Sequence, residues 1–347
     1  MEVIQKALRL STTLHPHNTG IIFFGGEPLL RKDLIKKTIT ICRKLEQKLG
    51  YSYHFKVTTN GLLLDRPFLE YATKARLQIA LSIDGEEEAH NYFRRTTKGK
   101  DTFAKIDGII DDLLSNQPYS YALMTVCPET LHFYSQSVEY LINRGFRYII
   151  ASLNYAGNWQ DNHLKLLKQE YKNLARLYEK LTLAKRKFYF SPFEKKLASH
   201  IQGPATLCQQ CHFGIKQISI APDGSIYPCV QFVKDGKSNK DFCIGDVTNG
   251  IDQNKQQRLF HLSREENTEC ISCKLRHRCE HQCSCLNWQT TGEINQITPF
   301  LCESERILIP IADNLGEKLF RKKAHSFMQK HYNPAAPFIS FLEDQQQ

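Results

Sequence analysis

The sequence predicts an α/β chain, a parallel sheet wound with helices, followed by a cysteine-rich region of different texture. Two observations carry this. Short runs dense in Ile, Val, Phe, Tyr and Thr alternate with longer helical patterns as far as residue 155. Of twelve cysteines, only Cys42 and Cys127 precede residue 208, and the other ten fall between 208 and 302.

The opening "MEVIQKALRLSTTLHPH" reads as an amphipathic helix with Val3, Ile4, Ala7, Leu8 and Leu10 on or near one face. It has neither the long apolar run nor the small-residue cleavage site of a signal peptide. No segment approaches the roughly 18 apolar residues of a membrane span, so a soluble, cytoplasmic protein is expected. Strands are expected at 21–24, 53–59, 77–84, 121–126 and 148–155, with helices at 33–49, 66–76, 101–115 and 130–144 between them. Asp33, Asp65 and Asp101 occupy expected N-cap positions, and Gly50 and Gly145 follow helix ends, where a left-handed residue is favoured. Such alternation requires parallel strands joined by right-handed crossovers, with ligands at the C-terminal ends of the strands. Residues 163–187 predict one long helix bridging to the cysteine-rich region. A further helix is expected over 303–320, bent or broken at Pro310, before a frayed tail "FLEDQQQ".

Lys and Arg number 46 against 36 Asp and Glu, a net +10, but the excess is dispersed apart from "AKRKF" (184–188) and "FRKKAH" (320–325). A nucleic-acid surface would gather basic residues on one face with aromatics between them, and this chain does not. The two clusters read first as solvated surface, and second as attraction for an acidic peptide or phosphate.

Two stretches carry chemistry. In "IIFFGGEPLL" (21–30), Gly25 and Gly26 follow a strand where an α/β fold receives its ligand, and they let backbone groups approach a small molecule. Glu27 can accept hydrogen bonds from an ammonium or hydroxyl pair, and Pro28 stiffens the turn. Without "GK[ST]" behind it, the turn is not a phosphate loop. Asn60 in "TTNGLLLD" and Ser82 with Asp84 in "LSIDG" end the next strands. In the second stretch, "CISCKLRHRCEHQC", Cys270, Cys273, Cys279 and Cys283 stand at C-x2-C-x5-C-x3-C spacing. Cys208 and Cys211 form another C-x2-C pair, Cys229 ends "GSIYPC", and Cys302 lies downstream. Thiolates this dense gather around soft metal, and eight of them make two sites of four. Spacing alone leaves open two zinc ions or two iron-sulfur clusters.

These residues resemble the radical S-adenosylmethionine superfamily, whose Gly-Gly-Glu-Pro motif binds the methionine amino group of the cofactor. The resemblance implies that Gly25, Gly26 and Glu27 hold that amino end, with Asn60 and Ser82 lining the remainder. The cysteine pattern C-x15-G-x4-C, then C-x2-C-x5-C-x3-C, then C is similar to the SPASM extension, which typically carries two auxiliary 4Fe-4S clusters. That match implies Cys208, Cys211, Cys229 and Cys283 around one cluster and Cys270, Cys273, Cys279 and Cys302 around the other. His277 and His281 are expected as solvated loop residues, and Cys243, Cys285, Cys42 and Cys127 as packing thiols.

The implied architecture is a partial (β/α)6 barrel of the TIM type missing its first strand (1–160), a helical bridge (161–204), a SPASM domain (205–303) and a C-terminal helix and tail (304–347). Family members carry a C-x3-C-x2-C whose three thiolates hold the cluster that cleaves S-adenosylmethionine. Here the cysteines before 208 stand 85 residues apart and supply no such run. The expectation is an incomplete product of an active enzyme, because a binding domain would be expected to protect its unpaired sheet edge. The implied activity is maturation of a ribosomally made, cysteine-rich peptide by hydrogen abstraction and crosslinking, with electrons from a flavodoxin or ferredoxin. A non-catalytic peptide-binding protein held by iron-sulfur clusters or zinc is the alternative. Sulfatase maturation is a further one, although that branch places an aspartate base after the Tyr-Pro-Cys cysteine, where this chain has Val230. No catalytic base is assigned.

Overall fold

The computed structural model describes residues 1–14, 17–203, 211–233, 240–265 and 267–335. Helix α1 (Glu2–Leu14) buries Leu8, with Val3, Ile4, Ala7 and Leu10 partly covered and Leu14 exposed. The β-rich runs form β1 (Asn18–Phe23), β2 (Ser52–Thr59), β3 (Leu77–Ser82), β4 (Tyr121–Val126) and β5 (Tyr148–Leu153), joined by a two-residue β6 (Tyr189–Phe190). Every neighbouring pair is parallel and the spatial order is the chain order, β1-β2-β3-β4-β5-β6. Helical crossovers make this possible: α2 (Lys32–Leu49), α3 (Arg66–Ala75), α4 (Glu87–Phe93) with α5 (Phe103–Asn116), α6 (Tyr134–Asn143) and α7 (Asp161–Leu183). The main core lies between sheet and helices. Its centre is β3, where Leu77, Ile79, Ala80 and Leu81 are wholly buried. β1 is an edge strand, and Ile22 and the following Phe24 are 54% and 53% exposed.

Several boundaries differ from expectation for identifiable reasons. Asp65 caps α3 through the Phe68 amide, and Gly50 closes α2 at φ 62°. Asp33 lies inside the first turn of α2 instead, paired with Arg31, because the 3-10 turn Pro28–Arg31 leads straight into that helix. Asp101 bridges to Arg95 and leaves Thr102 as N-cap of α5. The helix expected at 130–144 divides into a 3-10 turn, Pro128–Phe133, and α6. The long bridging helix ends at Leu183, which frees Tyr189 and Phe190 to add β6.

After β6 come α8 (Ser191–Ile201) and a second, antiparallel sheet of short strands. These are β7 (Ser219–Ile220), β8 (Ser225–Tyr227), β9 (Gly245–Asp246) and β10 (Gly250–Ile251), in the order β10-β9-β8-β7. They share a separate core of Phe213, Ile226, Phe232, Phe242, Ile244 and Leu259 with α9 (Gln253–Leu262). Short helices α10 (Thr268–Ile271) and α11 (Ser284–Thr291) carry the cysteine loops. α12 (Pro299–Arg321) then returns to pack on α7 and α8, followed by α13 (His325–Tyr332). α12 is one continuous helix with Pro310 inside it, so the chain does not break there. The burial of Leu308, Ile309, Ala312 and Leu315 on either side offsets the backbone bond a proline removes.

Candidate functional site

The strand register brings the first group of predicted residues to one sheet edge. Phe23 pairs with Val57 and Thr59 with Leu81, so the Gly25–Gly26 turn and Asn60 follow the C-terminal ends of β1 and β2, and Ser82 ends β3 beside them. Gly25 has φ 102° and Gly26 φ 52°, and an added Cβ at either would meet no atom within 4 Å. Backbone conformation is therefore what demands glycine here, and the turn presents its amides and carbonyls to an open face. This open, side-chain-free turn fits the amino-acid end of S-adenosylmethionine.

Glu27 is placed differently from expectation. Its carboxylate turns inward, Oε1 accepting from the Leu29 amide (3.0 Å) and the Thr59 hydroxyl (2.7 Å), and Oε2 from the Asn60 amide (2.8 Å). It thus ties the glycine turn to the end of β2. Asn60 in turn accepts the Leu62 amide at 2.9 Å, shaping the next loop. Beyond Ser82, buried Asp84 holds the guanidinium of Arg94 by two bonds of 2.6 and 3.1 Å and accepts the Thr125 amide. Neighbouring His90 is buried, and loss of solvation pulls its imidazole down to about 4, against the opposing effect of the Asp84 carboxylate. Thr59 and Arg94 were not singled out from sequence. Their roles depend on partners fixed by strand register and by the turn of α4.

The thiols of the second region gather in two neighbourhoods. Cys211, Cys229 and Cys283 lie within one another's electrostatic reach, as do Cys270 with Cys279, and Cys302 with Cys270 and Cys273. Cys208, assigned to the first set, lies outside the described residues. Among the described residues no three His, Cys, Asp or Glu groups form a closed ion site as they stand. The donor chemistry, sulfur throughout, nevertheless suits an iron-sulfur cluster. Cys229 is lowered to about 6, chiefly by a hydrogen bond from Cys285 and then by the amides of Gln231 and Val230, against burial. Cys283 is also lowered, first by Cys285. Burial pushes Cys279 up to about 12, although His281 Nδ1 stands 3.0 Å from its sulfur. His277 accepts from Arg276. Cys42 and Cys127 are buried within the sheet region, and Cys243 donates to the Gly245 carbonyl. Cys285 packs against the second core, as expected, and its sulfur also lies 3.5 Å from that of Cys283.

Charged contacts bind this loop to α8 and α12. Lys196 and Glu305 form a buried pair at 2.7 Å, 3% and 5% exposed, and Lys196 also donates to the Arg278 carbonyl at 2.8 Å. Arg278 reaches Asp313 through both terminal nitrogens, Ser199 through Nε and the Lys196 carbonyl, while Lys195 pairs with Glu280. Burial raises the Glu305 carboxyl even with Lys196 beside it.

Residues 2–141 match the model described as the Radical SAM superfamily. The chain's relatives include the cysteine-type anaerobic sulfatase-maturating enzyme of Clostridium perfringens (strain 13), 24% identical over 291 residues, which cover 81% of this chain and 78% of that one. Among solved structures, hexahistidine-tagged anSMEcpe with bound AdoMet superposes with a TM-score of 0.77 at 22% identity, covering 96% of this chain and 89% of that one. Native anSMEcpe with bound AdoMet and Cp18Cys peptide gives 0.73 at 20% identity, covering 92% and 91%. These likenesses establish a shared fold. No helix among the described residues is long and apolar enough to cross a membrane.

Proposed function

We propose that this chain serves a radical S-adenosylmethionine enzyme that modifies a peptide, with S-adenosylmethionine at the β1–β3 edge and two auxiliary 4Fe-4S clusters on the thiols of the second region. The observation that carries it is the pairing of an open Gly25–Gly26 turn in a radical SAM domain with two sulfur neighbourhoods on one chain. When bound, S-adenosylmethionine would supply the hydrogen-abstraction chemistry. The chain's own residues do the positioning. Gly25 and Gly26 offer backbone to the amino-acid end, Glu27 holds that turn against β2, and Asp84 with Arg94 fixes the loop after Ser82. A peptide substrate is supported by the peptide bound to anSMEcpe. The electron donor in this proposal is a flavodoxin or ferredoxin, and nucleic acid has no part in it.

A second possibility, sulfatase maturation, is favoured by similarity to the Clostridium perfringens enzyme. Val230, beside Cys229, opposes it, because its side chain cannot take a proton. Anaerobic purification with iron, sulfide and zinc analysis tests the proposal. About eight irons per chain are expected for two clusters, about twelve would add a third, and about two zinc ions without iron would overturn it. A sulfatase-derived peptide converted to formylglycine would select the second possibility.

A further inference from the structure

We propose that the N-terminal ends of β4, β5 and β6 carry a second binding site, a basic groove that takes an acidic segment of a polypeptide; that this polypeptide is the enzyme's own substrate rests on the function proposed above. Because the strands are parallel, the loops leading into them lie at the end of the sheet opposite the Gly25–Gly26 turn, about 20 Å away along a six-residue strand. Two hollows meet there. One, of about 370 Å³, is lined by Ile142, Gly145, Phe146, Arg147 and residues 185–187. The other, of about 490 Å³, runs from Asp111 and Leu114 to Pro118 and shares Gly145 and Arg147 with the first. The shared residues make the two hollows one groove.

Charge fixes the class of ligand. Arg147, Lys185, Arg186 and Lys187 line the first hollow, and among the described residues no carboxylate does. In the second, Asp111 is met by Arg144 at 3.2 Å, and Arg144 also holds Asp107 at 2.8 Å. A concavity lined by one sign of charge concentrates the opposite sign, so the groove selects an anion. The turn that brings the lysines there is fixed. Lys185 stands at φ 57°, with its amide on the Thr182 carbonyl and the Arg186 amide on that of Leu181, which closes α7. Arg186 then donates to the Ile142 carbonyl at 3.2 Å and ties this turn to the end of α6. The carbonyl end of α6 accounts for Arg186 alone; it does not account for the other cations on the same hollow. The neighbouring rings are already used, since Tyr119 carries Arg147 over its face at 5.5 Å and meets Tyr148 edge-on. Single-stranded nucleic acid needs open ring faces for its bases, so a peptide carboxylate is the better fit.

The experiment is fluorescence anisotropy on the full chain with a short fluorescein-labelled Glu-Gly repeat peptide, its Gln-Gly analogue and a single-stranded oligonucleotide of the same charge. Lys185→Glu with Lys187→Glu reverses two exposed charges of the groove. Lys98→Glu with Lys100→Glu makes the same change of net charge in the loop before α5, toward the other end of the sheet. The acidic peptide should bind the wild-type chain and weaken as salt rises. It should lose roughly tenfold in affinity in the groove pair and stay within about twofold in the other. Equal binding of the Gln-Gly peptide, equal loss in both pairs, displacement of the peptide by a lower concentration of oligonucleotide, or no binding of the acidic peptide would each overturn the inference. A photo-crosslinking copy of the acidic peptide decides the place without any variant: attachment within residues 142–147 or 185–187 upholds the groove, and attachment elsewhere overturns it. None of these readouts needs S-adenosylmethionine or metal, so a chain that fails as a radical enzyme would still decide whether the groove binds.

Discussion

Replacing Glu27 by Gln tests whether this carboxylate is a scaffold or a ligand held in reserve. The change keeps shape and volume but turns one acceptor oxygen into a donor. Oε1 serves two donors and Oε2 one, so the new side chain keeps its oxygen on Leu29 and Thr59 and sets its NH2 against the Asn60 amide. The Asn60 amide then loses a bond to a charged acceptor, worth about 1.5–3 kcal/mol, and faces a donor instead. If its exchange with solvent proceeds by local opening, that loss corresponds to about 10- to 150-fold faster hydrogen exchange. Site-resolved hydrogen–deuterium exchange should show this at Asn60 and leave Leu29 within about threefold of wild type. Exchange at Asn60 that stays within threefold would refute the internal-clamp account and return Glu27 to the role of an exposed ligand.

Three further substitutions probe the frame around the site. Lys196→Met should cost about 3–5 kcal/mol, because it strands Glu305 without a counter-charge, and adding Glu305→Leu should restore most of it, both read from urea midpoints. His90 is held near 4 in the folded chain against 6.5 when unfolded, so the unfolded state binds more protons between those values. Stability should therefore fall as pH drops from 6.5 through 4, by about 3 kcal/mol in full, and the drop should be absent in His90→Gln. Gly85→Ala would set a methyl 2.1 Å from Ser137 Cβ at φ 121°, and thermal unfolding should register a loss of about 3 kcal/mol.

Strands β2 and β4 were legible to within a residue because their β-branched and aromatic runs are bounded by turn residues. β6 was not, since two residues carry no periodicity and only their pairing with Tyr148 and Ile149 makes them a strand. α4 was hidden by its polarity, being started by the Glu86 side chain accepting the Glu88 and Ala89 amides. At the site, glycine and cysteine spacing singled out the loops at the end of β1 and around α10 and α11, because those signals are local. The inward turn of Glu27 was invisible, because its partners sit 32 and 33 residues away.

The ties from Lys195, Lys196 and Arg278 to Glu280, Glu305 and Asp313 make the cysteine loop a tenant of the helical layer, not an appendage. If that loop holds the proposed clusters, stripping metal from it should be felt at α8 and α12, as quicker proteolysis of segments that contain no cysteine on α8 and only Cys302 on α12. Oxygen damage to the sulfur centres would then spread as mechanical slackness through the same struts. For a chain carrying those clusters, exposure to air would loosen the sheet's helical cover.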